Sequence, residues 1–284
     1  MLTTQYRKRI YTIPISIPRP KYIYDNVGED IKENFVILPK ISYNEIDIEG
    51  MRTVGRLAKK IMKHVFENIA IGMTTNSVDY IIYQKIIENN AYPSLFGYRK
   101  YVRSSFISPN NVANHGMPDF YLLSAGDILT VDFAVYYQGY HIDIADTVLI
   151  GDVDKQALEL CEMAKKCTYN IISSCKEGQR FNIIGKIVRE TLKNSRFSVI
   201  PEFAGHGIGK NLYESPQITF DGSYIPGHME KGMIFTIEPI ITEGKPKVYL
   251  WPNTCTFSTK DLRRTAKFER TIMITESGAE VLTD

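Results

Sequence analysis

Residues 126–152 read GDILTVDFAVYYQGYHIDIADTVLIGD. Ile128, Thr130, Asp132, Ala134 and Tyr136 alternate along one face, and a return strand begins after Gln138-Gly139, so the stretch predicts a β-hairpin. The hairpin contains a contradiction. Asp132 in ILTVDFAVY and Asp143 in YHIDIADTV occupy strand centres that the neighbouring residues would bury. An ionised carboxylate there is costly unless it is paired or bound to a cation. One such aspartate is compatible with a hydrogen-bonded turn or a solvent face; two on paired strands are harder to place.

On the N-terminal side of the hairpin the pattern is helical. Asn44 can cap a helix in which Ile48, Met51, Val54, Leu57, Ala58, Ile61, Met62, Val65 and Ile69 recur at three- and four-residue steps, ended by Gly72. A second helix is expected from about Asn76, carrying Val78, Ile81, Ile82 and Ile86. Beyond the hairpin, helices fit 153–176 and 182–194, and strands fit Met233–Thr242, Lys247–Trp251 and Ala266–Thr275. Two rounds of helices, each accompanied by antiparallel strands, predict a duplicated α+β unit sharing one continuous sheet. No residue-level repeat accompanies the duplication.

Residues 1–41 differ in character. Pro14, Pro18 and Pro20 lack backbone donors and fix φ, which predicts an extended arm laid on a surface, followed by a single domain over 42–284. The arm is basic, with Arg7, Lys8, Arg9, Arg19 and Lys21 and no acidic residue before Asp25. It reads as a solvated arm or as a docking segment.

The 284-residue chain is 44% hydrophobic, enough to bury a full core, and its formal net charge of +2 gives no general pull toward nucleic acid or acidic lipid. No apolar run approaches the roughly 18–20 residues needed to cross a bilayer. Cys161, Cys167, Cys175 and Cys255 form no C-x-x-C pair, and the first three fall on a helical pattern where a thiol is a small core residue. A soluble cytoplasmic protein is expected, with an organellar location as the alternative.

The anomaly of the hairpin recurs in Glu238, within MIFTIEPII, and Glu269, within TAKFERTIMIT. Four carboxylates in one cavity would repel each other, and two divalent cations would neutralise them. A further candidate is His206 in FAGHGIGKNLYESP, pinned between Gly205 and Gly207 in what reads as a loop passing close to bound metal. One imidazole in an oxygen-rich set suits Mn, Fe, Co or Zn. Paired metals bridge a water, lower its pKa and polarise a carbonyl, so the chemistry expected is hydrolysis. No G-x-S-x-G supports a serine nucleophile, and no basic cluster surrounds these residues to favour a phosphate substrate.

NNVANHGMP, the hairpin, EFAGHGIG, GMIFTIEPII and FERTIMIT together resemble type I methionine aminopeptidases, of the pita-bread fold shared with prolidase and aminopeptidase P, over roughly residues 42–284. The resemblance implies that Asp132 chelates one metal, that Asp143 and Glu269 bridge two, and that His206 and Glu238 complete the second. It makes Glu238 the general acid/base and His115 a hydrogen-bond partner of the substrate near its scissile peptide. It places Tyr98, Tyr101, Phe106, Leu212 and Trp251 around the methionine side chain. It further implies removal of methionine from nascent polypeptide N-termini with a small second residue, a monomer without nucleic-acid or membrane partners, and ribosome docking through the arm.

The sequence departs from the family pattern around the substrate. Tyr213 stands where the family carries a second histidine that donates toward the developing oxyanion, Asn114 replaces a cysteine, Leu212 a phenylalanine, Arg270 a histidine, and Phe106 a residue that is often small. Tyrosine is also a donor, longer and bulkier. These changes predict an active metallopeptidase with shifted or reduced specificity. The alternatives are an Xaa-Pro peptidase and a non-catalytic peptide- or ribosome-binding protein on the same fold; a type II enzyme would need a longer insertion than the segment between His206 and Glu238.

Overall fold

The computed structural model describes residues 11–24 and 43–284. Helix α1 (Glu45–Asn68) starts where Asn44 accepts from the Asp47 backbone and Asp47 reciprocates, a capping box that satisfies two otherwise orphaned donors. Helix α2 (Thr75–Glu88) is capped by Thr74. Then come β1 (Tyr92–Pro93), β2 (Phe106–Pro109), β3 (Val112–Asn114), β4 (Ile128–Tyr137) and β5 (Tyr140–Leu149). Helices α3 (Lys155–Ser174) and α4 (Ile183–Leu192) open the second half. It continues through β6 (Ser198–Val199), β7 (Ala204–Gly207), β8 (Glu214–Thr219), β9 (Ile234–Ile237) and β10 (Ile240–Thr242). The last strands are β11 (Val248–Leu250), β12 (Phe257–Thr259), β13 (Thr265–Lys267), β14 (Glu269–Ile274) and β15 (Ala279–Val281).

One nine-stranded antiparallel sheet runs β1-β4-β5-β14-β9-β7-β8, with β2 added to β4 and β15 to β14. Two cores flank it. Met51, Val54, Ile61 and Val65 of α1 and Val78, Ile82 and Ile86 of α2 pack with Leu129, Val131 and Phe133. Leu160, Ala164, Cys167 and Ile171 of α3 and Ile184 and Val188 of α4 pack with Phe235, Ile237 and Ile272. Each half thus backs two helices against its share of one sheet, the duplicated α+β arrangement that the alternating patterns predicted. Cys161, Cys167 and Cys175 are buried in the second core.

Two segments read as single strands are each divided. Met233–Thr242 breaks at Glu238-Pro239 and Ala266–Thr275 breaks at Phe268. At both breaks the chain changes sheets: β9 and β14 belong to the large sheet, whereas β10 and β13 pair in a small one with β6. Pro239 has no N–H to continue a ladder. The apolar pattern ran through both breaks because both sheets are buried.

The described part of the N-terminal arm is irregular apart from a short 3-10 turn at Lys21–Ile23. Tyr11, Ile13 and Ile17 are nevertheless buried, beside Tyr92, Tyr83 and Phe96. These residues belong to the packing of α2 and β1, in contrast to the solvated reading of the arm. Residues 1–10 and 25–42 lie outside the described residues.

Candidate metal centre

The hairpin register builds the first half of the site. Gln138 and Gly139 both have positive φ, 50° and 95°, which matches a two-residue turn to the strand twist. Asp132 then faces Ala145 and Ala134 faces Asp143, so the two aspartates are diagonal neighbours on one face. Phe106 of β2 pairs with Asp132 from the other side.

The second half supplies the remaining groups from the sheet-switch points. Glu238 follows β9 directly and Glu269 opens β14, which pairs with β5 through Glu269 and Ala145. His206 lies on strand β7, not on a loop as its glycines suggested. The glycines serve close approach between strands: a Cβ on Gly205 would meet Thr236 O at 2.4 Å, and one on Gly207 would meet Ser215 O at 2.2 Å. Neither contact leaves room for a side chain. His206 N donates to Thr236 Oγ1 at 3.0 Å, and Thr236 Oγ1 donates to Glu238 Oε1 at 2.8 Å, so one threonine orients both groups.

Asp143, His206 and Glu269 each offer a donor atom within 4.8 Å of the others. His206 Nε2 lies 4.0 Å from Asp143 Oδ2 and also 4.0 Å from Glu238 Oε1. These separations are too long for hydrogen bonds and suit groups that share an ion at about 2.0–2.2 Å from each. His206 Nδ1 is 3.0 Å from Gly207 O, a contact that makes Nδ1 the N–H donor and leaves the Nε2 lone pair free. Burial pushes the His206 imidazolium down to about 4, so the ring is neutral at neutral pH, as ligation requires. Glu269 is 1% exposed, and its Oε1 has no hydrogen-bond partner among the described residues. A buried, unsatisfied carboxylate oxygen beside these donors is the observation that fits a divalent cation. Burial, and then the neighbouring carboxylates, push Asp143 and Glu269 well above the usual carboxylate range when no cation offsets them.

A fifth charged group in the floor escaped the sequence reading. Lys267 Nζ donates to Asp132 Oδ2 at 2.6 Å and to Glu269 Oε2 at 3.0 Å, and lies 3.5 Å from Glu238 Oε2. Burial alone would lower its pKa, but Asp132, Glu269 and Glu238 outweigh that and hold the ammonium well above its ordinary value. The sequence signal was there: a lysine between Ala266 and Phe268 in a buried strand is as anomalous as the carboxylates.

The floor opens into a cavity of about 560 Å³ whose lining includes Tyr98, Tyr101, Phe106, His115, Phe203 and Tyr213. His115 has φ 51° and lies 4.6 Å, ring to ring, from Phe106; burial pushes its imidazolium down to about 4. The Tyr213 ring lies 4.3 Å from His206 and 5.3 Å from Tyr98, and burial followed by the Asp143 charge holds the phenol protonated. Tyr101 OH donates to Ser105 O at 2.8 Å, which turns its ring toward Phe106. Leu212 and Trp251 are not brought into this lining. Leu212 is 2% exposed within the first core, and the Trp251 indole donates to Ser258 Oγ at 2.9 Å. Apolar and aromatic residues follow one pattern in cores and in pockets, which is why sequence alone placed these two in the cavity. Phe203, Phe257 and Cys255 line it instead. Arg270 points away: it binds Asp146 at 2.9 Å and Asp284 at 2.7 Å and caps the Glu269 carbonyl at 2.7 Å.

The fold and the donor set define a metallopeptidase. Residues 49–276 match metallopeptidase family M24, and the chain belongs to that family, whose members are metal-dependent hydrolases. It is 36% identical over 273 residues to the mitochondrial methionine aminopeptidase 1D of Homo sapiens, covering 96% of this chain and 80% of that one. It is 33% identical to methionine aminopeptidase 1 of Saccharomyces cerevisiae, covering 95% and 70%. Among solved structures it resembles the methionine aminopeptidase of Rickettsia prowazekii, with a TM-score of 0.84 at 29% identity over 86% of this chain and all of that one. The prolidase of Pyrococcus furiosus superposes with a TM-score of 0.69 at 21% identity over 86% of this chain and 66% of that one, which shows the shared pita-bread fold.

Proposed function

We propose that this protein removes the N-terminal methionine from nascent polypeptides and peptides, with preference for a small second residue. The observation that carries the reading is a carboxylate–imidazole floor at the end of a cavity walled by Tyr98, Tyr101, Phe106, His115 and Phe203. A cation held by Asp143, His206, Glu238 and Glu269 would polarise the scissile carbonyl and acidify a water.

The chain's own groups supply the proton handling and the positioning. Glu238, held through Oε1 by Thr236, takes the proton of the attacking water and passes it to the departing amine. His115, neutral at neutral pH, offers a ring N–H to the substrate beside the scissile bond. Tyr213 offers a protonated phenol where charge develops on the carbonyl oxygen. Phe106 and Tyr101 meet the methionine side chain. The family relatives include mitochondrial and chloroplastic proteins. No described helix is long and apolar enough to cross a membrane. Cytoplasmic action remains part of the reading, as does a monomer. Ribosome docking through the arm also remains part of the reading, without Tyr11, Ile13 and Ile17, which are committed to packing.

The test is release of free methionine from a Met-Ala-Ser peptide by protein stripped of metal and reloaded with Mn, Co, Fe or Zn. Metal-dependent release is expected. In the same assay Tyr213→Phe lowers kcat by about 100-fold or more, the scale of losing one oxyanion donor, with metal content unchanged. Absence of release with every metal sinks the proposal, and a parental rate in Tyr213→Phe removes the phenol from it.

A further inference from the structure

Lys267 leaves the backbone from a fixed point. It pairs with Ile240 across β13 and β10, its N–H bonds Thr147 Oγ1 at 3.0 Å, and its carbonyl accepts from the same hydroxyl at 2.9 Å. Its side chain is 3% exposed and ends among Asp132, Glu269 and Glu238. An ammonium has three protons to donate, and three carboxylates surround this one. The two nearest, Asp132 at 2.6 Å and Glu269 at 3.0 Å, are ligands that the family resemblance gives to one and the same metal. The other cluster, Asp143, His206 and Glu269, keeps its donor atoms within 4.8 Å and leaves Glu269 Oε1 unpartnered. Asp132 thus lies on the lysine side, Asp143 and His206 on the other, and Glu269 stands between them with Oε2 on the lysine and Oε1 unpartnered among the described residues.

We propose that the Lys267 ammonium is the resident cation on the Asp132 side of this centre, and that the protein binds one divalent ion, on the His206 side, instead of two. The inference rests on the metallopeptidase reading and deepens it. A dication placed beside Asp132 would sit against a fixed positive charge in a buried site, where like charges repel more strongly than in bulk water. Lys267 is buried at the cavity floor and held there by its bonds to Asp132 and Glu269. Asp132 Oδ2 is consequently spent on the lysine, and Asp143, His206, Glu238 and Glu269 remain for a metal.

The experiment counts ions in the whole protein. Apo protein is titrated with Mn by calorimetry, and the washed holoprotein is read by elemental analysis and electron paramagnetic resonance. The parent is expected to bind one Mn with an isolated-ion spectrum. Lys267→Gln and Lys267→Met, each checked for parental circular dichroism, are expected to bind two, with a spin-coupled spectrum. Two tightly bound ions in the parent overturn the inference, as does a single ion in both folded variants. Methionine release is followed in parallel with the same samples. One ion in the parent without release would leave the lysine's role standing and sink the aminopeptidase reading; two ions with release would do the reverse.

Discussion

Asp79 and Glu269 are both buried carboxylates, 0% and 1% exposed, and their surroundings differ in kind. Asp79 Oδ1 accepts from Ser104 N at 3.0 Å and Ser105 Oγ at 2.7 Å, while Oδ2 accepts from Tyr11 OH. Each of its oxygens is satisfied by neutral donors, which come from two separate parts of the chain, the arm and the segment before β2. Glu269 shares Lys267 through Oε2 and leaves Oε1 without a partner among the described residues. A buried carboxylate with complete donors is architecture; one left incomplete beside others like it is a receptor for a cation.

The largest effect expected from this contrast lies in the centre. Asp143→Asn should weaken metal binding by more than about 100-fold, beyond the usual loss from an outer hydrogen-bond partner, and abolish methionine release. Calorimetry on the apo variant would give the affinity, and a change below tenfold would show that Asp143 is architecture like Asp79.

Asp79 should respond to pH instead of metal. Burial raises its carboxyl to about 6 against the partial relief from Tyr11, Ser105 and Arg103. Between the unfolded value near 4 and about 6 the native state holds the extra proton, so this group's contribution to stability falls as pH rises through that window. The full change is about 3 kcal/mol. Urea denaturation at pH 4 and pH 7 should therefore show Asp79→Asn gaining on the parent by that amount at the higher pH, with metal affinity intact. A difference independent of pH would mean that the Arg103 charge already compensates Asp79.

The smallest effect is expected at Tyr11→Phe, which removes one donor to Asp79 and leaves the ring stack on Tyr83, centroids 4.4 Å apart. A loss of about 2 kcal/mol at pH 7 is the scale for a buried bond to a charged acceptor. No loss would show that the Tyr11–Asp79 bond does not help to hold the arm.

The duplicated architecture was legible because helical and strand periods alternate cleanly along the chain, and the convergence of Asp132, Asp143, His206, Glu238 and Glu269 because acidic residues in apolar strands break the pattern around them. Lys267 broke the same pattern, but lysine is so commonly a surface residue that its place in TAKFER drew no notice. The sheet changes at Pro239 and Phe268 were hidden, since a residue passing from one buried sheet to another keeps an apolar neighbourhood. Leu212 and Trp251 were set in the cavity for want of any sequence signal that separates a pocket wall from a core. The glycines around His206 signalled close approach correctly, while the neighbours they make room for, Thr236 and Ser215, are set by tertiary pairing that no local pattern records.

The sheet-switch points give the centre a timetable. Its donors arrive in the order Asp132, Asp143, His206, Glu238, Glu269, and the last of them follows Lys267 by two residues. A growing chain halted before that point could already form the β4–β5 hairpin and begin to pack α1 and α2 behind it, since most of that core comes from the first half, with Ile208, Leu212, Ile234, Met273 and Leu282 added later. Residue 269 thus closes the order of assembly: the donor group of Asp143, His206 and Glu269 is complete only when nearly the whole chain has been made.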